Sequence, residues 1–182
     1  MHYTGTIWRP PYEAYSLLVQ VTAGCTHHSC KFCTLYEDLP FKFRMSPLSE
    51  VESDLAEASR YYKNVPRIFF TGANPFVLTT DKLKTLAQMV KKYYPNYETI
   101  GCFGRVTDVY NKSVDDLKEL RKLGYDGITF GVETGNDEAL AFMNKGFRSS
   151  DTIEQMKKLE EAGISYNFFY LTGISGAGHG EY

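Results

Sequence analysis

Two rhythms alternate along the chain. Short apolar runs such as Leu17-Leu18-Val19 and Ile68-Phe69-Phe70 are separated by stretches in which apolar residues return every third or fourth position. The runs read as buried strands and the longer stretches as amphipathic helices. Five strands are predicted, over 15–22, 67–71, 99–103, 127–132 and 165–171. Between them, Leu48, Val51, Leu55, Ala58 and Tyr62 trace one helical face. Leu83, Leu86, Met89, Val90 and Tyr93 trace a second, and Leu117, Leu120 and Leu123 a third. Two further helical pieces cover 137–143 and 150–162. The boundaries carry matching signals: Ser46 as N-cap before Pro47, Ser113 with Asp116 as a capping box, and Gly124 and Gly163 as stops.

Strand and helix in strict alternation predict an α/β fold, a parallel sheet with helical crossovers that curls into a partial (βα) barrel with outer helices. Each strand runs into a loop of unusual composition: 25–33, 72–75, 104–105, 133–135 and 173–178. In such barrels the loops at the carboxyl ends of the strands share one rim, so five of them are expected to build one site. Residues 1–182 read as a single domain. The sequence stops just after the loop of the fifth strand, which predicts a barrel truncated there, the N-terminal part of a longer enzyme. The open edge then predicts homo-oligomerisation through it.

Composition narrows the class. Of 182 residues, 43% are hydrophobic and 23% charged, which excludes disorder as the dominant state. Lys and Arg total 20 against 22 Asp and Glu, and the net charge of −2 demands no polyanionic partner. No apolar run reaches the length of a membrane span, and Met1–Thr6 carries no signal-peptide pattern. A cytoplasmic protein without membrane partners is expected. Aromatic residues, 15% of the chain, suit a thick core or a large apolar cavity.

The four cysteines change the picture. Cys25, Cys30 and Cys33 lie in one short loop, spaced Cys-x4-Cys-x2-Cys, and Cys102 is far away. Clustered thiols in a cytosolic chain point to metal rather than to disulfides. One reading is a structural zinc-binding module, completed by His27, His28 or Cys102. The other is an iron–sulfur cubane, which normally takes four Cys. Three Cys would leave one iron open to a chelating ligand.

The loop, with Phe32 just before its last Cys, resembles the cluster motif of the radical S-adenosylmethionine (SAM) superfamily. It is one residue longer than the usual Cys-x3-Cys-x2-Cys. Thr71-Gly72-Ala73-Asn74-Pro75 stands where that family has a Gly-Gly-Glu motif, with its second Gly and its Glu replaced. Gly131-Val132-Glu133-Thr134-Gly135 resembles the Gly-Val-Glu-Ser-Gly element of the branch shared with MiaB and NifB. The run 171–178 resembles the Gly-rich adenine-side element.

The resemblance implies an oxidoreductase. Its [4Fe–4S] cluster is ligated by Cys25, Cys30 and Cys33. Its SAM site is lined by Phe32, Gly72, Asn74, Arg105, Glu133, Thr134, Gly173, Ile174 and Gly176. Such an enzyme cleaves SAM reductively to a 5′-deoxyadenosyl radical, which abstracts hydrogen from a small-molecule or macromolecular substrate. It draws its electron from an external donor such as flavodoxin or ferredoxin. Several of these residues also have plainer readings: Phe32 as packing beneath the loop, Asn74 as turn chemistry before Pro75, Arg105 as an ion pair with Asp108, Glu133 as a helix-start carboxylate, and Gly173 and Gly176 as turns of the chain. The basic and aromatic stretch Tyr36–Arg44 reads as a lid, a nucleic-acid contact or plain surface.

Overall fold

The computed structural model describes residues 1–174. In chain order its elements are β1 (Leu17–Gln20), β2 (Thr22–Gly24), β3 (Phe43–Met45), α1 (Leu48–Tyr61), β4 (Arg67–Thr71), α2 (Thr80–Tyr93), β5 (Thr99–Gly104), α3 (Val114–Lys122), β6 (Ile128–Glu133), α4 (Asp137–Phe142), α5 (Ser149–Ala162) and β7 (Tyr166–Tyr170). Three short 3-10 turns, Pro11–Glu13, Pro75–Val77 and Val106–Val109, complete it. The five expected strands form one parallel sheet in the order β1-β4-β5-β6-β7. The order follows the chain, as right-handed helical crossovers dictate. Among the described residues β1 and β7 are not paired with each other, so the barrel is open, as expected.

Alternate strand residues face opposite ways. Val19, Ile68, Phe70, Ile100, Ile128 and Phe130 point outward onto Leu55, Leu83, Leu86, Val90, Leu117, Leu120 and Leu159 of the helices. Each buried side chain of this kind is worth about 1.5–3 kcal/mol. The other face carries Gln20, Phe69, Phe103, Thr129, Gly131 and Phe169. Phe69 and Phe103 meet edge to face at 5.1 Å, and Phe103 reaches Phe169 at 6.2 Å. Gly131, paired with Phe169, offers no side chain between them.

Most helix signals hold. Ser113 accepts from Asp116 N–H while Asp116 accepts back from Ser113 N–H, and Gly163 closes α5 in the left-handed conformation. Ser46 does not cap α1. Pro47 occupies the cap position and Ser46 N–H donates instead to Val21 O at 2.9 Å, because the segment is tied to the strand beside it.

The amino-terminal segment crosses the inner face of the sheet. Thr4 N–H donates to Gln20 Oε1 at 2.6 Å and Gln20 Nε2 donates back to Thr4 O at 3.0 Å. Tyr12 OH meets Thr129 Oγ1 at 2.8 Å. The Pro11–Glu13 turn then seats Glu13, 2% exposed, against Arg67 at the amino end of β4. Its Pro11–Glu13 part closes the bottom of the barrel, while Thr4 and Gly5 lie at the other end, beside Arg44 and Leu39.

Candidate cofactor site at the carboxyl ends of the strands

The cysteine loop is clamped at its base by a hairpin that the sequence reading did not contain. β2 and β3 pair antiparallel, and Cys25 N–H donates to Lys42 O at 2.9 Å. Gly24 makes this closure: its φ is 75°, and a Cβ there would lie 2.2 Å from Lys42 O. Cys25, Cys30 and Cys33 are free and half-buried, and Cys33 N–H turns back to Cys30 O at 3.2 Å. Burial pushes the Cys30 and Cys33 thiols up, while the ammonium of Lys145 nearby favours their thiolates. Cys102 is apart from them. It is fully buried on β5, against the helices, where desolvation holds its thiol protonated.

Two other rim segments hold the loop. Asn74 is fully buried, and its amide is spent on scaffolding. Its Oδ1 accepts from Thr26 N–H at 3.3 Å, and its Nδ2 donates to Thr26 Oγ1 at 2.7 Å and to the Asp108 carboxylate at 3.2 Å. On the other side, the turn between α4 and α5 receives the loop. Lys31 N–H donates to Met143 O at 3.0 Å, His27 Nε2 meets Asn144 O at 2.6 Å, and Asn144 Nδ2 donates to Ser29 O at 2.8 Å.

Of the remaining expected residues, Glu133, Phe32 and Arg105 converge on that turn, and Gly72 and Thr134 do not. A bulge between Gly131 and Glu133 puts Glu133 at φ 70° and folds its side chain back over Gly131, where a Cβ would lie 2.6 Å from Oε1. Glu133 is thereby 8% exposed and paired with Lys145 Nζ at 3.1 Å. Lys145, itself buried, stands 5.5 Å from the Phe32 ring centroid. Arg105 lends its backbone N–H to Asp108 at 2.8 Å. Its guanidinium donates to Lys145 O and to Thr107 Oγ1, so no side-chain ion pair with Asp108 forms. The Thr134 hydroxyl accepts from Asn136 N–H at 3.2 Å at the start of α4. Gly72 packs directly on Thr22, where a Cβ would meet Oγ1 at 2.0 Å.

Phe32, Gly173 and Ile174 line one cavity of about 300 Å³ together with Lys31, Phe142 and Met143. Gly176 lies outside the described residues. A larger cavity of about 900 Å³, lined by Tyr15, Leu17, Tyr62 and Pro66, sits at the amino ends of the strands. We place the site at the rim because the thiols and the buried charges converge there.

Sequence reasoning missed Lys145 and Thr26, and read Asp108 only as an ion-pair partner of Arg105. Asn144 and Gly146, residue types that accept positive φ, mark a turn around Lys145, which the structure has at φ 57° and 77° directly after α4, but nothing in the sequence marks the lysine as buried.

Asp108 also sets a pH dependence. Burial pushes its carboxyl from 3.8 up to about 6, against the pull of Arg105 N–H, Asn74, and the Arg105 and Lys112 charges. Between those values the folded chain holds a proton that the unfolded chain has released. Stability therefore falls as pH rises through this window, by roughly 3 kcal/mol in all. Urea midpoints at pH 4 and pH 7 are expected to show the decline in wild type and to lose it in Asp108→Asn.

The fold has known counterparts. The family model for the radical SAM superfamily matches residues 19–181. The heme chaperone HemW of Bacillus subtilis (strain 168) is 22% identical over 143 residues, which make up 75% of this chain and 37% of HemW. Among solved structures, the radical S-adenosylmethionine methyltransferase TsrM from Kitasatospora setae, with cobalamin and a [4Fe-4S] cluster bound, aligns with a TM-score of 0.66 at 15% identity, over 87% of this chain and 31% of TsrM. Coproporphyrinogen III oxidase HemN from Escherichia coli, a radical SAM enzyme, aligns with a TM-score of 0.64 at 18% identity, over 84% of this chain and 36% of HemN. The solved structures share the partial-barrel fold, and this chain spans about a third of each relative. With the family model covering all but the first eighteen and the last residue, the chain belongs to the radical SAM superfamily.

Proposed function

We propose that this chain carries the cofactor-binding core of a radical SAM oxidoreductase, with a [4Fe–4S] cluster on Cys25, Cys30 and Cys33 and SAM beside it. The observation that carries this reading is the donor set: three free thiols on one hairpin-clamped loop, with the fourth Cys buried elsewhere. A structural zinc site takes four protein ligands, but His27 Nε2 is spent on Asn144 O and Cys102 is buried on β5, whereas three thiolates suit a cubane with one iron left open.

When bound, the two groups supply reductive cleavage of a carbon–sulfur bond and a 5′-deoxyadenosyl radical that takes hydrogen from a substrate. The chain's own residues supply position and shielding. Asn74 and the Met143–Gly146 turn fix the cysteine loop from two sides. Phe32, Gly173 and Ile174 border the neighbouring cavity, and Glu133 with Arg105 present charge at the rim. The aromatic row Phe69, Phe103 and Phe169 gives the inner face an apolar floor. The Gly131–Gly135 element supports the branch resembling MiaB and NifB. Four free cysteines suit a reducing cytoplasm, and no helix among the described residues is long and apolar enough to cross a membrane. An external one-electron donor of the flavodoxin or ferredoxin kind completes the reaction. The exposed aromatic side chains of β7, Phe169 and Tyr170, support self-association at the open edge.

Anaerobic reconstitution tests the reading. Brown protein holding about four irons and four sulfides per chain is the expected result. Colourless protein that takes up stoichiometric zinc and no iron would overturn it.

A further inference from the structure

The turn between α4 and α5 does more than join two helices. Its backbone receives the cysteine loop at Lys31 and His27, and the Asn144 amide reaches Ser29 O. Gly146 lies so close to His27 that a Cβ would stand 3.1 Å from the ring. The Lys145 carbonyl takes the Arg105 guanidinium. The Lys145 side chain runs inward, to Glu133 at 3.1 Å and over the rings of Phe32 and Phe147 at 5.5 and 5.7 Å. One residue therefore touches three of the rim loops, and it is itself 5% exposed, beside the residue that precedes Cys33.

A buried lysine is expensive to desolvate, and Glu133 alone is a poor reason to keep it, since such a pair often contributes little to stability. Its placement has a second consequence. Three thiolates and the Glu133 carboxylate put negative charge on one side of the rim. The cations facing them are Lys145 and, through its backbone-anchored side chain, Arg105. A fixed positive charge in a water-poor site favours whichever state of a neighbouring centre carries more negative charge.

We propose that Lys145 is a positioning residue of the cluster site, whose buried ammonium, held by Glu133 and Phe32, raises the reduction potential of the Cys25–Cys30–Cys33 cluster. The proposal rests on the cofactor reading above. It names the residue that balances the charge of the loaded loop, which the cysteine motif does not contain.

The test is the one-electron midpoint potential of anaerobically reconstituted protein, measured by spectroelectrochemistry on wild type, Lys145→Met, Lys145→Arg and Glu133→Gln. Lys145→Met is expected to disfavour the reduced cluster about tenfold, which for one electron is about 59 mV downward. Lys145→Arg should stay near wild type, because it keeps the charge. Glu133→Gln should move the potential upward, because it leaves the ammonium unneutralised. A purely structural turn would lower iron loading in both Lys145 variants and leave the potential of whatever cluster forms unchanged. Unchanged potentials in Lys145→Met and Glu133→Gln overturn the proposal. If Lys145→Met does not fold, the direction of the Glu133→Gln shift decides alone, and a downward or absent shift overturns it. Failure of wild type itself to take up iron would instead sink the cofactor reading, so the two failures are distinct.

Discussion

Arg67→Met is expected to cost about 3–5 kcal/mol of unfolding free energy, because it leaves the Glu13 carboxylate buried without its partner. Arg67 forks onto Glu13 with Nε at 3.0 and 2.9 Å from the two oxygens and Nη2 at 2.6 Å from Oε1, and its Nη1 donates to Thr99 Oγ1 at 3.0 Å. The sheet is built around this guanidinium. A Cβ at Gly101 would lie 2.3 Å from Nη2, and one at Gly127 would lie 2.7 Å from it. Both glycines are therefore space for the arginine. The urea midpoint should fall with the slope unchanged. The double variant Glu13→Leu/Arg67→Met should recover most of the loss, since exchanging both partners removes the charges together. A single variant within 1 kcal/mol of wild type would show that the plug does not hold the bottom of the barrel.

The frame on which this prediction stands was largely legible in the sequence. Ile68-Phe69-Phe70 and Ile128-Thr129-Phe130 are too apolar and too short for anything but buried strands, and the helices between them leave only a parallel sheet. The β2–β3 hairpin was not legible. Each strand is three residues long, and Thr22-Ala23-Gly24 continues the apolar run of β1, so no change of rhythm marks it. The stretch ending in Phe43 and Arg44 admits a lid, a nucleic-acid contact or plain surface, because its partner lies across a long loop.

The candidate site divides in the same way. The cysteines announce themselves by spacing. Asn74 admitted two readings, and the structure spends its amide on Thr26 and Asp108, a scaffolding contact decided by tertiary packing. Lys145 offered still less. A lysine in Asn-Lys-Gly between two helices reads as a solvated turn, and only the bulge at Glu133 brings a carboxylate over it. Long-range electrostatics of this kind leaves no periodic trace.

Cys30→Ala is expected to abolish cluster loading while leaving the apo fold intact. Cys30 sits on a loop held by its neighbours: Lys31 N–H on Met143 O, Ser29 O under Asn144, Thr26 on Asn74. None of these bonds uses the thiol, and the side chain is half-buried, so its truncation falls among mutations of small effect on stability. Two thiolates cannot anchor a cubane that already lacks its fourth protein ligand. Iron per chain after reconstitution should drop to background, and formation of 5′-deoxyadenosine from SAM should stop with it. Cys102→Ser is the converse. It should keep the iron and lose about 1–3 kcal/mol, because it buries a hydroxyl in the apolar cluster between sheet and helices. The pair separates ligand from core residue by opposite readouts. Iron retained in Cys30→Ala, or lost in Cys102→Ser at a temperature where that variant is folded, would reverse the assignment of the two thiols.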